Sequence, residues 1–170
     1  RVATSHAAAP DAIYDATLIV GATNVPDVLD IGRVQPGTLL VDDSAPHCFD
    51  VQQAIQRLET QEDILFTEGG VLELPEPIHY HVHAARALEP MLKDTRLFKE
   101  TEATGCVFSS LLTARFPELP PTVGLVNPHA GADHYAKLQE LGIRAAALHC
   151  RDYHLPKRVI RSFRYRFGGK

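Results

Sequence analysis

The residue of this sequence best suited to covalent chemistry is Cys106, which lies in a predicted helix spanning residues 101–116. Residues three and four positions further along share its helical face, and these are the hydroxyl-bearing Ser109 and Ser110. A substrate could reach a thiol on such a stripe, where neighbouring hydroxyls would support a thiolate. Cys106 is therefore a candidate nucleophile, and the two serines are candidate substrate contacts. A small buried core cysteine is the alternative interpretation.

Histidines form two further candidate groups. His79, His81 and His83 alternate along the chain, which would place three imidazoles on one face of a strand, a pattern that zinc can use. No fourth ligand completes this set nearby, so the sequence predicts no metal site. His47 follows the second predicted strand, beside Cys48 and near the expected ligand crevice. It is a candidate to bind or protonate a substrate, although an ordinary turn residue would occupy the same place.

Three short runs, at residues 16–21, 38–41 and 63–67, predict β-strands, and the apolar character of the first is typical of a strand covered on both faces. A short helical turn at 25–34 and an amphipathic helix at 50–61 separate them. This alternation predicts a parallel sheet, whose ligands bind beyond the carboxyl ends of the strands. Each strand runs into small and polar residues, where a ligand can approach the backbone closely. These candidate cofactor-binding residues are Ala22, Thr23, Asn24, Asp42, Asp43, Ser44, Gly69 and Gly70.

The predicted fold class is α/β, namely the second half of a Rossmann-like parallel sheet followed by a helical C-terminal segment. The Gly-x-Gly-x-x-Gly loop of a dinucleotide-binding fold is absent, and three strands are fewer than such a sheet usually contains. Because the chain also opens without methionine, we expect it to be a piece of a longer protein. The predicted organisation has four parts: a connecting segment at 1–14, a partial dinucleotide-binding domain at 15–78, a helical segment at 79–150 and a basic tail at 151–170. The helical segment carries Cys106 and contains a second predicted helix at 130–141.

Composition and motifs exclude several classes of function. The chain of 170 residues is 45% hydrophobic and 22% charged, with a formal net charge of −4. This balance does not suit a nucleic-acid-binding protein, and no apolar run reaches the ~20 residues of a membrane span. Three cysteines, an odd number, do not indicate a disulfide framework, which favours a cytoplasmic protein with free thiols. No Gly-x-Ser-x-Gly motif supports a hydrolase.

The C-terminal residues 156–170 are strongly basic. A solvated amphipathic tail is the default interpretation of such a run. Contact with phosphates or with the acidic surface of a carrier protein is an alternative. Phe163, Tyr165 and Phe167 alternate with arginines, which also hints at a strand or a docking surface.

Two blocks of the sequence resemble the C-terminal half of long-chain acyl-(acyl carrier protein) reductases. Residues 63–73 contain the Gly-Gly-Val-Leu-Glu run that follows a core strand in that family, and residues 106–110, Cys-Val-Phe-Ser-Ser, are similar to its Cys-Phe-Ala-Glu-Ala helix. The family belongs with predicted amino-acid dehydrogenases related to shikimate dehydrogenase and glutamyl-tRNA reductase. The turns at 22–24 and 42–44 also match turns of the family. Ser109 departs from the pattern, since an acidic residue is common there, and the glycine-rich phosphate loop is missing.

The resemblance implies an NAD(P)-dependent oxidoreductase that reduces an acyl thioester to an aldehyde. In these reductases the helix cysteine accepts the acyl group, and a nicotinamide hydride then releases the aldehyde. Cys106 would thus be the nucleophile, and the loops at Ala22, Asp42 and Gly69 would line the nicotinamide pocket. The implied cofactor is NADPH or NADH, and the implied substrate is an acyl thioester on a carrier protein or coenzyme A.

Two other functions stay open at this point, as does assembly into a homo-oligomer. The chain could belong to an NAD(P)-dependent amino-acid or hydroxy-acid dehydrogenase that transfers hydride directly, with Cys106 in a structural role. It could also be a non-catalytic Rossmann-like binding module. Loss of activity on alkylation of Cys106 would separate the covalent route from direct hydride transfer.

Overall fold

The computed structural model describes residues 8–79, 85–88, 99–119, 121, 124 and 127–168, and it shows a mixed α/β chain. No helix within these ranges is both long and apolar enough to cross a membrane. The chain divides into two compact units, of which the first comprises Arg1–Gly69 with Ala147–Lys170 and the second comprises Gly70–Ala146. This division does not coincide with the predicted boundaries after residues 78 and 150, because the chain returns to the first unit at residue 147.

A parallel sheet lies at the centre of the first unit. Its strands are β1 (Leu18–Gly21), β2 (Leu39–Asp42) and β3 (Leu65–Glu68), which are hydrogen-bonded in that order. The predicted parallel sheet is therefore confirmed, with strand ends within two residues of the predicted ones.

One face of this sheet is buried in the apolar core of the unit. Ile19, Leu40 and Phe66 are register partners across the three strands, so their side chains share a face, and none is more than 4% exposed. Burial of each such side chain contributes about 1.5–3 kcal/mol. On the opposite face, Leu18 and Val20 of β1 are 56% and 61% exposed. The prediction that the first strand is covered on both faces is therefore wrong.

Helix α1 (Val51–Gln61) follows β2 and contributes to the same core. Its apolar stripe buries Ala54 and Leu58 completely, as the helical spacing of the sequence predicts. The Asp50 side chain begins the helix by accepting hydrogen bonds from two N–H groups of the first turn. Single 3-10 turns lie at Asp11–Ile13, Ile31–Arg33 and Arg86–Leu88, so the helical turn predicted at 25–34 is limited to three residues.

The described residues of the second unit form a small antiparallel sheet and two α-helices. Strand β4 (Val71–Glu73) lies between β5 (Glu102–Thr104) and β6 (Arg144–Ala145). Helix α2 (Gly105–Arg115) follows β5 directly, and helix α3 (Pro128–Glu140) precedes β6. A small apolar core is formed by Leu74, Ala103 and Ile143.

The two helices predicted in this unit have different ends from those observed. The helix predicted at 101–116 starts only at Gly105, because residues 102–104 pair with β4 and so satisfy their backbone groups in a strand. The helix predicted at 130–141 starts earlier, after Asn127, whose side chain accepts a hydrogen bond from the N–H of His129. Gly142, with a φ of 73°, follows its end in the left-handed conformation that glycine favours.

The chain then returns to the first unit as a short hairpin of β7 (His149–Cys150) and β8 (Tyr153–His154), followed by helix α4 (Lys157–Phe167). The Thr67 hydroxyl of β3 holds this hairpin on the sheet. It accepts a hydrogen bond from the His149 N–H at 3.3 Å and donates one to the His149 carbonyl at 3.2 Å.

The basic C-terminal region is a helix packed on the core, and not the predicted solvated tail or strand. Phe163 is 9% exposed and belongs to the core of the first unit, whereas Tyr165 is 92% exposed. Arg166 donates hydrogen bonds to the carbonyl groups of Gln61 and Glu62 at 3.2 and 3.1 Å. Since the last carbonyls of a helix lack partners within it, this arginine caps the C-terminal end of α1.

Candidate functional site

The C-terminal ends of β1, β2 and β3 meet at one edge of the parallel sheet. Backbone hydrogen bonds of 2.8 Å join the loops beyond the strands, from Asp43 to Gly21 and from Gly69 to Asp42. The structure therefore brings together the loop residues predicted to bind a cofactor, except Gly70, with which the second unit begins. Of these eight residues, Ala22, Asn24, Asp43 and Gly70 are exposed, Thr23, Ser44 and Gly69 are half-buried, and Asp42 is buried.

The Asp42 carboxylate is turned into the protein at this edge. It is 2% exposed, and its oxygens accept hydrogen bonds from the N–H groups of Ser44 at 3.2 Å and Cys48 at 3.1 Å. Burial raises the pKa of this carboxyl, but hydrogen bonds from Ser44, Cys48 and His47 outweigh it and hold the pKa below its usual range. Asp42 thus stabilises the loop after β2 and has no exposed oxygen for the predicted contact with a cofactor.

His47 is held by Asp42 in a defined orientation. Its Nδ1 lies 3.0 Å from Asp42 Oδ2, and its side chain is 17% exposed. Its other nitrogen, Nε2, lies 3.4 Å from Glu68 Oε1 and 3.9 Å from Cys150 Sγ. A histidine oriented by a carboxylate can act as a general acid or base or as a metal ligand. The structure therefore places His47 beside the strand ends, where the sequence predicts a substrate contact.

Glu68, at the end of β3, is positioned by the returning hairpin. Its Oε1 accepts a hydrogen bond from the Arg151 N–H at 2.7 Å, and its Oε2 lies 3.7 Å from His149 Nε2. His149 is in turn fixed by its Nδ1, which lies 2.8 Å from the carbonyl oxygen of Ala147. A half-buried carboxylate thus lies between two imidazole rings, His47 on one side and His149 on the other.

The cysteines of the first unit are buried beside this group. Cys150 is completely buried, and burial, together with the charges of Glu68 and Asp42, raises the pKa of its thiol to about 12. Burial likewise raises the pKa of Cys48 to about 12, and its hydrogen bond to Asp42 acts in the same direction. Both side chains are therefore protonated thiols at neutral pH unless a cation replaces the proton.

Cys106 has a different environment, in the second unit. It is exposed in the first turn of α2, and its Sγ lies 3.4 Å from the Thr104 hydroxyl. Cys106 lies within the predicted helix, but it lies at the beginning of the observed helix, which starts at Gly105. Ser109 and Ser110 are exposed on the same helix, and the Ser110 hydroxyl lies 3.5 Å from the Cys106 carbonyl oxygen. The structure thus keeps the predicted nucleophile and its two serines together on an accessible surface.

Three candidate metal ligands also come together in the first unit, where the sequence predicts none. Among the described residues, His47, Glu68 and Cys150 each offer a ligand atom, and these atoms lie within 4.8 Å of one another. Of the alternating histidines considered as zinc ligands, His79 is exposed, and the other two lie outside the described residues.

The sequence patterns do not identify Glu68, His149 and Cys150 as site residues. A weak signal exists, since the dipeptide His-Cys occurs twice, at 47–48 and at 149–150. The two copies meet only because the chain returns to β3 over a separation of 103 residues between His47 and Cys150. Local periodicity carries no information about such a contact.

Comparisons with protein-family models, with curated proteins and with solved structures find no match to this chain.

Proposed function

We propose that this chain acts in the NAD(P)H-dependent reduction of an acyl thioester to an aldehyde, through an acyl-enzyme formed on Cys106. The observation that carries the proposal is the exposure of Cys106 in the first turn of α2, while the chain's other two cysteines are buried. The resemblance of residues 63–73 and 106–110 to acyl-(acyl carrier protein) reductases supports the same role.

The position of Cys106 suits attack on a thioester. The N-terminal end of a helix carries partial positive charge, which stabilises a thiolate and the oxyanion that forms when sulfur adds to a carbonyl. The Thr104 side chain makes no capping hydrogen bond, so it does not compete for these peptide N–H groups. Attack by Cys106 Sγ forms a new thioester and breaks the carbon–sulfur bond to the carrier, which leaves as a thiol. The reduction would need a hydride, which a nicotinamide would supply when bound; the acyl carbon would accept it, and the Cys106 thiolate would leave as the aldehyde forms.

The parallel sheet of the first unit suits the cofactor part of the proposal. Its strand order β1-β2-β3 follows the chain, as it does in the second half of a Rossmann sheet. Asn24, Asp43 and Ser44 would hold the nicotinamide half of the cofactor, because they offer polar groups along the edge beyond the strands. Asp42 would act indirectly, by holding this loop.

Acylation without cofactor tests the proposal. The protein is incubated with an acyl-coenzyme A thioester, and the adducts are mapped by mass spectrometry of its peptides. We expect one acyl group, on Cys106, and none on this site in Cys106→Ala; the matched control is Leu111→Ala, an exposed position of the same helix, which should still acylate. An adduct spread equally over all three cysteines, or no adduct, contradicts the covalent mechanism.

A second candidate is direct hydride transfer to an amino acid or hydroxy acid, and the Asp42–His47 pair favours it. A carboxylate at 3.0 Å from Nδ1 fixes the ring and leaves Nε2 to exchange a proton with a substrate oxygen or nitrogen. In this case Cys106→Ala would retain nicotinamide-dependent activity and His47→Gln would lose it. The covalent mechanism predicts that Cys106→Ala loses the activity.

A further inference from the structure

We propose that His47, Glu68 and Cys150 form a binding site for a divalent transition metal, with zinc as the preferred ion, at the C-terminal edge of the parallel sheet. The ligand atoms are His47 Nε2, a Glu68 carboxylate oxygen and Cys150 Sγ. This site is independent of the proposed acyl transfer, for which Cys106 of the second unit needs no metal.

The hydrogen bonds around His47 direct a lone pair toward this group. Asp42 accepts hydrogen bonds from the N–H groups of Ser44 and Cys48, which can only donate, so its carboxylate acts as an acceptor. The facing His47 Nδ1 must then donate, and a neutral ring keeps its lone pair on Nε2. That nitrogen lies 3.4 Å from Glu68 Oε1, which is also an acceptor.

The same arrangement occurs on the other side of Glu68. The His149 Nδ1 faces a carbonyl oxygen at 2.8 Å and must donate to it, which leaves the lone pair of a neutral ring on Nε2. This Nε2 lies 3.7 Å from Glu68 Oε2. The carboxylate thus faces two nitrogens that are acceptors in neutral imidazoles. A cation shared by His47 Nε2 and the carboxylate would relieve this contact on the side of His47, where the Cys150 thiol offers a third ligand atom.

The spacing of the ligand atoms fits an ion between them. Metal–ligand distances of about 2.0–2.3 Å in a tetrahedral zinc site place neighbouring ligand atoms about 3.3–3.6 Å apart. The distances from His47 Nε2 are 3.4 Å to Glu68 Oε1 and 3.9 Å to Cys150 Sγ, which is slightly long. The Nε2–Oε1 distance exceeds the length of a good hydrogen bond, and all three ligand atoms lie within 4.8 Å of one another, so an inward shift of Sγ would complete the geometry.

The chemistry of the ligands selects zinc. Thiolate, imidazole and carboxylate together match its preferences, whereas calcium and magnesium take oxygen ligands. One thiolate and one carboxylate also balance the two positive charges of the ion, so that the site carries no net charge. Three protein ligands leave the fourth position to water or a substrate atom, as in catalytic zinc sites. The Asp42–His47 hydrogen bond supplies the supporting carboxylate that such histidines usually have.

Metal titration of the full chain tests the proposal. The protein is stripped with a chelator and titrated with zinc chloride against a chromophoric indicator, and separately with cobalt chloride to detect thiolate-to-cobalt charge transfer. We expect one tight site and a charge-transfer band. Cys150→Ser should lose the band, and His47→Gln and Glu68→Gln should weaken zinc binding. Asp42→Asn, which removes the carboxylate that supports His47, should weaken zinc binding by about 10–100-fold.

Two control variants separate this site from other metal-binding groups. The triple variant His79→Gln/His81→Gln/His83→Gln removes the alternating histidines, and Cys106→Ser removes the exposed thiol; both should keep the tight site and the band. Because Cys150 is completely buried, circular dichroism must show that each variant is folded, and the partly exposed His47 provides a ligand variant with less risk to folding. The proposal would be overturned if the unmodified protein binds no zinc tightly. It would also be overturned if either control loses the tight site while His47→Gln and Glu68→Gln keep it.

Discussion

At the scale of single residues, the three cysteines differ in exposure and therefore in reactivity. Cys106 is exposed, whereas Cys48 and Cys150 are buried and have pKa values raised to about 12. Because the thiolate is the reactive form, we expect iodoacetamide at pH 8 to alkylate Cys106 first in chelator-treated protein. Peptide mass spectrometry measures the three rates, and unfolding in urea should equalise them. Alkylation of Cys48 or Cys150 as fast as Cys106 in the folded protein would contradict the described burial.

Gly21, at the C-terminal end of β1, has no space for a side chain. A Cβ atom there would lie 2.5 Å from Asp42 Oδ1 and from Cys48 Sγ, so something must shift to admit it. We predict that Gly21→Ala lowers the free energy of unfolding by about 1–3 kcal/mol, as overpacking usually does. Gly131 of α3 is the matched control, since a Cβ there meets nothing within 4 Å and alanine should stabilise the helix by about 0.5–1 kcal/mol. Urea denaturation compares the two, and equal effects would refute the steric argument.

At the scale of elements, the buried pair of Arg57 and Asp63 joins α1 to the segment before β3. Arg57 donates two parallel hydrogen bonds to the carboxylate, at 3.0 and 2.8 Å, and a third to the carbonyl of Ile31. Asp63→Asn should destabilise the fold by about 3–5 kcal/mol, because it leaves a buried guanidinium without its partner charge. The exposed ion pair of Arg33 and Asp11 gives the control, and Asp11→Asn should leave the urea midpoint unchanged. Similar midpoints for the two variants would show that burial does not decide the effect.

Two aromatic residues of α4 can test whether this segment forms a helix or a strand. In a strand, Phe163 and Tyr165 would share a face, but in the observed helix they are 9% and 92% exposed. Phe163→Ala should therefore cost about 3–5 kcal/mol of unfolding free energy, while Tyr165→Ala should change it by no more than about 0.5 kcal/mol. Thermal denaturation followed by circular dichroism measures both. Equal losses would support the strand that the sequence alternation suggests.

At the scale of the whole molecule, local signals predict the parts of the fold that local interactions form. Apolar runs predict β1 to β3, and the apolar stripe of residues 50–61 predicts α1. Residues 102–104 have no such signal, because their pairing with β4 is a long-range contact, and the sequence predicts them as part of a helix. The return of residues 147–167 to the first unit is equally long-range: Thr67 and His149 are 82 residues apart. Of the site, the sequence therefore predicts His47 and the loops, but neither Glu68 nor Cys150.

At the same scale, the ligands of the proposed metal site come from both segments of the first unit. His47 and Glu68 belong to the first segment, and Cys150 belongs to the segment that follows the second unit. An ion bound only by the folded state would tie the two segments together and stabilise this unit, by about 2.7 kcal/mol at a concentration of 100 times the dissociation constant. We therefore expect zinc to slow hydrogen exchange in peptides from both segments, while α2 and α3 exchange at unchanged rates. The Cys106→Ser variant should behave in the same way, and His47→Gln should lose the protection. Protection confined to the second unit would place the ion elsewhere, and protection of the first segment alone would remove Cys150 from the ligand set.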